Sequence, residues 1–294
     1  MPSVRTPGYA APSGPPTRGG RLRHEADVYV LSYPKAGRTW LRALVGKALV
    51  DHHGLPEEML LDTSAVTRAA GLPVTVFDHD DSGLAQRLRW QDMPADRTAY
   101  RGKRVLLLGR DVRDNLVSAY FQASRRIHVF HGPISEFVRH DAFGVDKILA
   151  FYRIWDASRR VPTAFEFIRY EDLHRDAAAT LASVLAFLSA DVAPATIATA
   201  VEYCRFDNLR RVEAEGRFRS HMLRPRRHDD PEAFKVRKGR IGSFPEYLAP
   251  DDIAFVEAAV AARGCEFTRL APDATLPAFD AVDSTFPAHH PSSS

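Results

Sequence analysis

The chain has 294 residues, of which 45% are hydrophobic and 26% charged, a composition typical of a globular domain with a substantial core. Its two cysteines speak against a disulfide framework or a cysteine metal cluster. No apolar run approaches the ~20 residues of a membrane span, and the first residues lack the apolar region of a signal peptide. We therefore expect a cytoplasmic protein, and its formal net charge of +3 suits an anionic ligand.

Proline and glycine divide the chain into three parts. Residues 1–23 hold five prolines and four glycines, which predicts a disordered arm. Residues 271–294 end in Pro-Ala-His-His-Pro-Ser-Ser-Ser and are predicted to form a flexible tail. A single domain is expected between them, over residues 24–270.

Strand and helix patterns alternate through this domain. The predicted strands are Val28–Ser32, Val74–Phe77, Arg104–Gly109 and Ala164–Arg169. The predicted helices are about Thr39–Val50, a helix capped by Asp111 with Asp114 in the capping-box position, Lys147–Ser158, Ala177–Ser189, Ala193–Cys204 and Asp251–Ala262. Strands separated by helices indicate an α/β fold whose mostly parallel central sheet has helices on both faces. Such sheets bind ligands beyond the carboxyl ends of their strands.

The turn after the first strand has the features of an anion site. The strand runs through Pro34-Lys35-Ala36-Gly37 into an amphipathic helix. At a helix N-terminus, unpaired backbone N–H groups converge and the helix dipole adds partial positive charge. Lys35 and Arg38 add two cations, so a phosphate or sulfate ester is the expected ligand. The alternative is an ordinary strand–helix turn with a surface lysine.

Two further segments carry cations suited to phosphate. Arg110 leaves the third strand, and Ser118 follows two helical turns later; arginine offers a planar fork of donors and serine a hydroxyl. The segment Val236–Gly242 holds three cations and two glycines in seven residues. Each segment taken alone could also be solvated surface.

Together the three segments resemble the soluble sulfotransferases that use 3′-phosphoadenosine 5′-phosphosulfate (PAPS), with features of bacterial members. The family's P-K-x-G-x-T-W segment matches Pro34–Trp40, and its R-[DN]-x-[RK]-D-x-x-x-S-x-[YF] segment matches Arg110–Tyr120. Its Y-E-D-[LM] strand end matches Tyr170–Leu173, and its R-K-G-x-x-G segment matches Arg237–Gly242. The resemblance spans about residues 28–242 in the family's order, and it implies a P-loop-like domain.

The resemblance also implies roles for the matched residues. The donor's 5′-phosphosulfate would be held by Lys35 and by the backbone of Ala36, Gly37, Arg38, Thr39 and Trp40. The 3′-phosphate would be bound by Arg110 and Ser118, under a loop formed by Arg237, Lys238 and Gly239. The adenine would be framed by Trp40, Tyr170 and Phe206. The product PAP (3′-phosphoadenosine 5′-phosphate) would remain bound at the same residues.

Three positions depart from the family's usual residues. Arg38 replaces a threonine that is common in animal members, and Cys204 replaces a small hydroxyl residue. The segment Ser243-Phe244-Pro245 stands where the family often has an acid, a tryptophan and a lysine.

His79, after the second strand, occupies the place of the family's general base. Imidazole suits that task because its unperturbed pKa lies near neutrality. A carboxylate of Asp78, Asp80 or Asp81 is expected to orient the ring. Lys35 is expected to act a second time, by stabilising charge on the oxygen between phosphate and sulfate as that bond breaks.

These observations favour a sulfotransferase that moves a sulfuryl group in line from PAPS to a hydroxyl of a small-molecule, sugar or lipid acceptor, without a metal. Residues 52–73, 125–145 and 212–235 are expected to shape the acceptor pocket. A homodimer is compatible with the sequence, whereas neither nucleic acid nor a membrane span is expected.

Two rival interpretations stay open. A small-molecule kinase on a related fold would normally carry G-x-x-x-x-G-K-[ST], which this sequence lacks. A nucleic-acid-binding protein could use the basic stretch 205–240, but six acidic residues interrupt it.

Overall fold

The computed structural model describes residues 26–215 and 239–270. Its sheet has four strands, β1 (Val28–Ser32), β2 (Thr75–Asp78), β3 (Arg104–Gly109) and β4 (Ala164–Arg169). They lie in the order β2-β1-β3-β4, and all three neighbouring pairs are parallel. The carboxyl ends of all four strands therefore meet at one edge of the sheet, as the sequence predicts.

Helices connect the strands and cover the sheet. In the described ranges they are α1 (Arg38–His53), α2 (Thr63–Ala69), α3 (Val112–Phe121), α4 (Ile134–Arg139), α5 (Val145–Ser158), α6 (Tyr170–Arg175), α7 (Ala177–Phe187), α8 (Pro194–Tyr203), α9 (Phe206–Ala214) and α10 (Pro250–Arg263). A π-helical turn, Gln122–Arg126, extends α3, and a 3₁₀ turn, Thr98–Tyr100, precedes β3. No helix within these ranges has the length and apolar character needed to cross a bilayer.

The sheet separates two hydrophobic cores. Alternate residues of β1 point to opposite faces, so Tyr29 and Leu31 pack in one core while Val28 and Val30 pack in the other. The first core takes residues from α3, α4, α5 and α10, and the second from α1, α2, α7, α8 and α9. This confirms the expected fold, a parallel α/β sheet with helices on both faces.

The structure corrects two local predictions. Asp111 caps α3 by accepting the Arg113 N–H at 2.9 Å, but Asp114 does not complete a capping box. The carboxylate of Asp114 instead accepts backbone N–H groups from residues 242 and 244. The short helices α2 and α4 lie in segments expected to be loops, because six or seven residues are too few to show helical periodicity.

Candidate active site

The predicted site residues gather around one cavity at the carboxyl edge of the sheet. Its volume is about 420 Å³. The sequence-predicted residues that line it are Lys35, Gly37, Arg38, Thr39, Trp40, His79, Arg110, Ser118, Tyr170, Phe206 and Gly239. Ala36 lies beneath the cavity with a fully buried side chain. Arg237 and Lys238 lie outside the described residues, as do the predicted arm and tail.

The Pro34–Gly37 turn is held in shape by two neighbouring helices. Its backbone turns through left-handed conformations at Lys35 (φ 72°) and Gly37 (φ 98°). The carbonyl of Pro34 accepts the side-chain amide of Asn115 at 2.8 Å. A Cβ on residue 37 would lie 2.3 Å from the ring of Tyr170, so this close approach requires glycine.

The backbone amides of this turn divide into two sets. The N–H of Ala36 donates to the Tyr33 carbonyl at 3.3 Å, and that of Trp40 donates to the Gly37 carbonyl at 3.0 Å. A ligand would therefore share those two donors with the turn. The amides of Arg38 and Thr39 belong to the first turn of α1, before its intrahelical bonds begin, and they are the donors best placed for an anion.

Arg110 joins the Pro34–Gly37 turn to the chain beyond Gly239. Its guanidinium donates to the carbonyl oxygens of Lys35 at 3.1 Å and Arg240 at 3.4 Å. It also lies 4.4 Å from the centre of the Tyr170 ring. Its buried Nε has no hydrogen-bond partner among the described residues. A phosphate fits here because it would bring acceptor oxygens to a cation with bonding capacity to spare.

The Y-E-D segment fixes the start of α3, and hence Arg110. Glu171 is buried, and one of its carboxylate oxygens accepts the N–H of Asp111 at 2.8 Å. Its other oxygen accepts the Arg169 Nε at 3.2 Å. The ends of β3 and β4 are thereby tied together beside the cavity.

Aromatic rings form the side of the cavity expected to hold adenine. The indole N–H of Trp40 donates to the Cys204 carbonyl at 3.0 Å, and its ring meets Tyr170 edge to face at 5.7 Å. Across the cavity, Gly239 has a φ of 60°, and a Cβ there would lie 2.4 Å from the ring of Phe206. Flat apolar surfaces and a glycine contact suit a planar base.

His174 belongs to the same aromatic wall, although the sequence did not predict it as a site residue. Its ring lies 5.0 Å from that of Trp40 and 4.6 Å from that of Tyr170. Burial, and then the charge of Arg110, lowers its pKa to about 4, so the ring is neutral at physiological pH. The sequence signal that could have found His174 is its position four residues after Tyr170, because residues four apart lie on the same face of a helix.

His79 stands at the far side of the cavity, and a main-chain group orients its ring. Nδ1 lies 2.9 Å from the carbonyl oxygen of Ser32. Because a carbonyl can only accept, Nδ1 carries the proton in this bond, and in the neutral form of the ring Nε2 then holds the lone pair. Nδ1 therefore bonds a main-chain carbonyl and not a carboxylate of Asp78, Asp80 or Asp81, which corrects the expectation for that nitrogen. Asp78 accepts the His79 backbone N–H at 2.6 Å, and the Asp80 carboxylate is engaged elsewhere.

Arg38 contributes its side chain as well as its backbone. The side chain lines the cavity beside Lys35. Burial, and then the neighbouring charge of Arg42, lowers the pKa of Arg38 to about 9, and Asp78 opposes that shift. The guanidinium therefore remains charged at neutral pH. Lys35, Arg38 and Arg110 together give the cavity wall a positive character that favours an anion.

The sequence predicted only part of the remaining cavity wall. It includes Leu84, Ala85 and Gln86, from a 3₁₀ turn after His79, together with Asp78, Asp81, Gln122 and Ile127. Ile127 comes from the expected acceptor segment 125–145, but residues 52–73 do not line the cavity. Residues 52–73 instead include α2, which packs against α1 and β2.

Comparison with known proteins agrees with this geometry. The family described as "Sulfotransferase domain" matches residues 25–263. Flavonol 3-sulfotransferase of Flaveria bidentis is 22% identical over 58% of this chain and 59% of its own length. Sulfotransferase 4A1 of Homo sapiens is 25% identical over 55% of this chain and 60% of its own length. These matches therefore span about three fifths of each relative.

A solved structure shares the fold. Retinol dehydratase, in a complex with androsterone and the inactive cofactor PAP, superposes with a TM-score of 0.56 at 18% identity. The superposition covers 84% of this chain and 83% of that one. Since the family match covers most of the sequence, including every strand and the whole cavity edge, the chain belongs to the sulfotransferase domain family.

Proposed function

We propose that this protein transfers a sulfuryl group from PAPS to the hydroxyl group of an acceptor and releases PAP. One observation carries the proposal. A single cavity collects a helix N-terminus with Lys35, the Arg110 and Ser118 pair, an aromatic wall and a histidine. Membership of the sulfotransferase domain family, and the fold shared with a mouse sulfotransferase solved with PAP, support the same donor.

The donor would bring an activated sulfuryl group, and the chain's own residues would bind and orient it. Arg110 and Ser118 are suited to one phosphate, because a guanidinium and a hydroxyl lie together in the cavity. Lys35 and the amides of Arg38 and Thr39 are suited to the phosphosulfate end. The Lys35 ammonium would stabilise negative charge on the leaving phosphate oxygen. Catalysis of this kind depends mainly on positioning and electrostatics.

His79 is proposed to remove the acceptor's proton. Its Nδ1 proton is committed to the Ser32 carbonyl, so Nε2 is the nitrogen with a lone pair to receive a proton. A neutral imidazole is poised for this task near pH 7. We expect His79→Ala to lower kcat by ~10²-fold or more, the usual scale of a general base. Wild-type turnover in that variant would refute the assignment.

The acceptor is proposed to carry its hydroxyl on an apolar body. Leu84, Ala85 and Ile127 line the same cavity as His79, and so do Gln86 and Gln122. The names of the related proteins point the same way, since they mention a flavonol, androsterone and retinol. Phenols and apolar alcohols are therefore favoured over free sugars.

The decisive experiment incubates the protein with ³⁵S-labelled PAPS and a panel of hydroxyl compounds. The panel would include 2-naphthol, a flavonol, a steroid alcohol, a long-chain alcohol and glucose. Label transfer to at least one apolar member, slowed by ~10²-fold or more in the Lys35→Ala variant, is the expected result. Calorimetry with PAP would test the donor site independently of any acceptor.

The same assay separates the rival functions. Turnover of ATP with magnesium, without use of PAPS, would favour a kinase. A gel shift on duplex DNA that weakens steeply with salt would favour a nucleic-acid-binding protein. Neither result is expected, because the sequence lacks the G-x-x-x-x-G-K-[ST] motif and the chain belongs to the sulfotransferase domain family.

A further inference from the structure

The segment that carries His79 leaves β2 in a strained turn. Asp80 and Asp81 both have left-handed backbone conformations, with φ of 46° and 64°. These conformations cost free energy in residues with a Cβ, although aspartate tolerates them better than most. The turn is closed by Ser82, whose N–H and hydroxyl donate to the His79 carbonyl from 2.9 and 2.5 Å. The strain implies that contacts outside the turn hold it in place.

The side chain of Asp80 makes those outside contacts. Its carboxylate is only 4% exposed and lies among three donors. One oxygen accepts the hydroxyl of Tyr100 at 2.6 Å, and the other accepts the indole N–H of Trp155 at 2.9 Å. Nε of Arg97 lies 2.7 Å from the second oxygen in a buried ion pair. Asp80 therefore points away from the cavity while its neighbour His79 lines it.

The three donors are themselves fixed to the core. Arg97 also donates to the carbonyls of Pro94 at 2.7 Å and Asp96 at 3.0 Å. The ring of Tyr100 lies edge to face with those of Tyr29 on β1 and Trp155 on α5, at 5.0 Å from each. The Asp80 carboxylate thus ties the turn to the central strand and to a helix of the core.

From this geometry we infer that Asp80 is a positioning residue for His79, an inference that rests on the proposed role of His79 as the base. The ring reaches the Ser32 carbonyl only if its backbone stays where the Asp80 anchor holds it. That carbonyl bond sets the Nδ1–H tautomer and leaves Nε2 to face the acceptor. A displacement of ~1 Å in a reacting group can cost ~10²-fold in rate, so loss of the anchor should be visible in turnover.

The test uses Asp80→Asn, which keeps the shape of the side chain but removes its charge and one acceptor oxygen. We expect kcat with the best acceptor of the panel to fall by about 10- to 100-fold. The affinity for PAP should change by less than twofold, because none of the proposed donor-binding residues lies in the turn after β2. Tyr100→Phe removes one hydrogen bond and keeps the ring, so it should give a smaller loss and serves if Asp80→Asn does not fold.

A spectroscopic reading needs neither donor nor acceptor. In protein labelled with ¹⁵N-histidine, the signal missing from His79→Gln belongs to His79, and it should report a protonated Nδ1 and a bare Nε2. Asp80→Asn should lose that pattern and show a mixture of tautomers. If His79 were not the base, only the turnover of His79→Ala would show it. The role of His79 as the base and the positioning role of Asp80 are therefore tested separately.

Asp96→Asn is the matched control. Asp96 lies in the same loop as Arg97 and accepts the N–H and hydroxyl of Thr98 at 2.8 and 3.0 Å, but it is exposed. It should leave kcat and the His79 signal unchanged. The inference is overturned if Asp80→Asn lowers only the melting temperature, with the tautomer and kcat intact. It is equally overturned if PAP affinity falls in parallel with kcat, since the whole site would then be disturbed.

Discussion

The carboxylate of Asp114 is bonded to the backbone of Gly242, 128 residues away in the sequence. One oxygen accepts the Gly242 N–H at 2.7 Å, and the other accepts the N–H of Phe244 at 3.1 Å. Asp114 lies on α3, which carries Ser118 and begins two residues after Arg110. The helix that presents the proposed 3′-phosphate residues therefore also holds the end of the glycine-rich segment that should close over that phosphate.

This contact predicts that Asp114→Asn weakens PAP binding without touching the ligand. An amide can accept only one of the two N–H groups well, so the segment beyond Gly239 should loosen. Hydrogen bonds to charged groups contribute about 1.5–3 kcal/mol, so a rise in the PAP dissociation constant of ~10-fold or more is expected by calorimetry.

The control for this prediction is Asp176→Asn, which alters another helix-capping carboxylate that does not line the cavity. Asp176 accepts the Ala179 N–H at 2.8 Å at the start of α7. It should lower stability slightly and leave PAP affinity alone. An Asp114→Asn protein with wild-type affinity would show that the glycine-rich segment needs no such anchor.

Arg110 is predicted to bind phosphate through the planar geometry of its guanidinium group as well as through its charge. Its guanidinium already bonds two carbonyls and lies against Tyr170, so it is aligned before a ligand arrives. Arg110→Lys keeps the positive charge but loses the planar pair of donors. We expect PAP affinity to fall ~10-fold or more in Arg110→Lys and further in Arg110→Ala. Equal affinity in wild type and Arg110→Ala, measured by calorimetry, would remove Arg110 from the donor site.

Lys35 is predicted to affect turnover more than binding. Its place in the turn before α1 puts it at the phosphosulfate end, where charge develops as the sulfuryl group leaves. Lys35→Ala should lower kcat by ~10²-fold or more, the usual effect of removing one such electrostatic contact. The loss of PAP affinity should be much smaller, because Arg38 and the helix N-terminus remain.

Lys47→Ala is the control for that measurement. Lys47 lies on α1, the helix that follows Lys35, and pairs with Asp51 at 2.8 Å, outside the cavity. Its removal should change neither kcat nor PAP affinity. If Lys35→Ala lost PAP affinity and kept its kcat, Lys35 would be a binding residue only.

Sequence patterns predicted the strands of the sheet and the residues of the cavity motifs, because both depend on residues that are close together in the sequence. The ranges of β1 and β3 follow from apolar runs typical of buried parallel strands. The Pro34–Gly37 turn and Arg110 were placed by their position at strand ends. That reasoning puts residues at one edge, and the structure shows that they line one cavity.

The contacts that orient these residues could not be predicted in the same way. The group beside the His79 ring is the main-chain carbonyl of Ser32, which leaves no mark in a sequence. Of the neighbouring aspartates, only the tertiary structure shows that Asp80 points into the core. The partner of Asp114 is equally remote, since a carboxylate on a helix could face many backbone amides.

Lys147 is a buried cation outside the active site that should govern stability. It is fully buried at the start of α5, and its ammonium donates to the Ala142 carbonyl at 3.0 Å. Burial lowers its pKa from 10.5 to about 8. The fold thus disfavours the charged form, and below pH 8 this should cost about 3 kcal/mol of unfolding free energy by linkage. Between about pH 8 and 10.5 the unfolded chain binds more protons at Lys147 than the folded chain does. The destabilisation caused by Lys147 therefore becomes smaller as the pH rises.

Lys147→Met should therefore stabilise the protein at pH 7 and lose that advantage in alkali. The thioether side chain fills a similar volume without a charge, while the lost bond to Ala142 takes back about 1 kcal/mol. Urea unfolding should give a gain of about 2 kcal/mol at pH 7 that shrinks toward zero by about pH 9.5. Comparing variant with wild type at each pH cancels the titration of all other groups. A difference that stays constant across this range would mean that Lys147 keeps its ordinary pKa inside the fold.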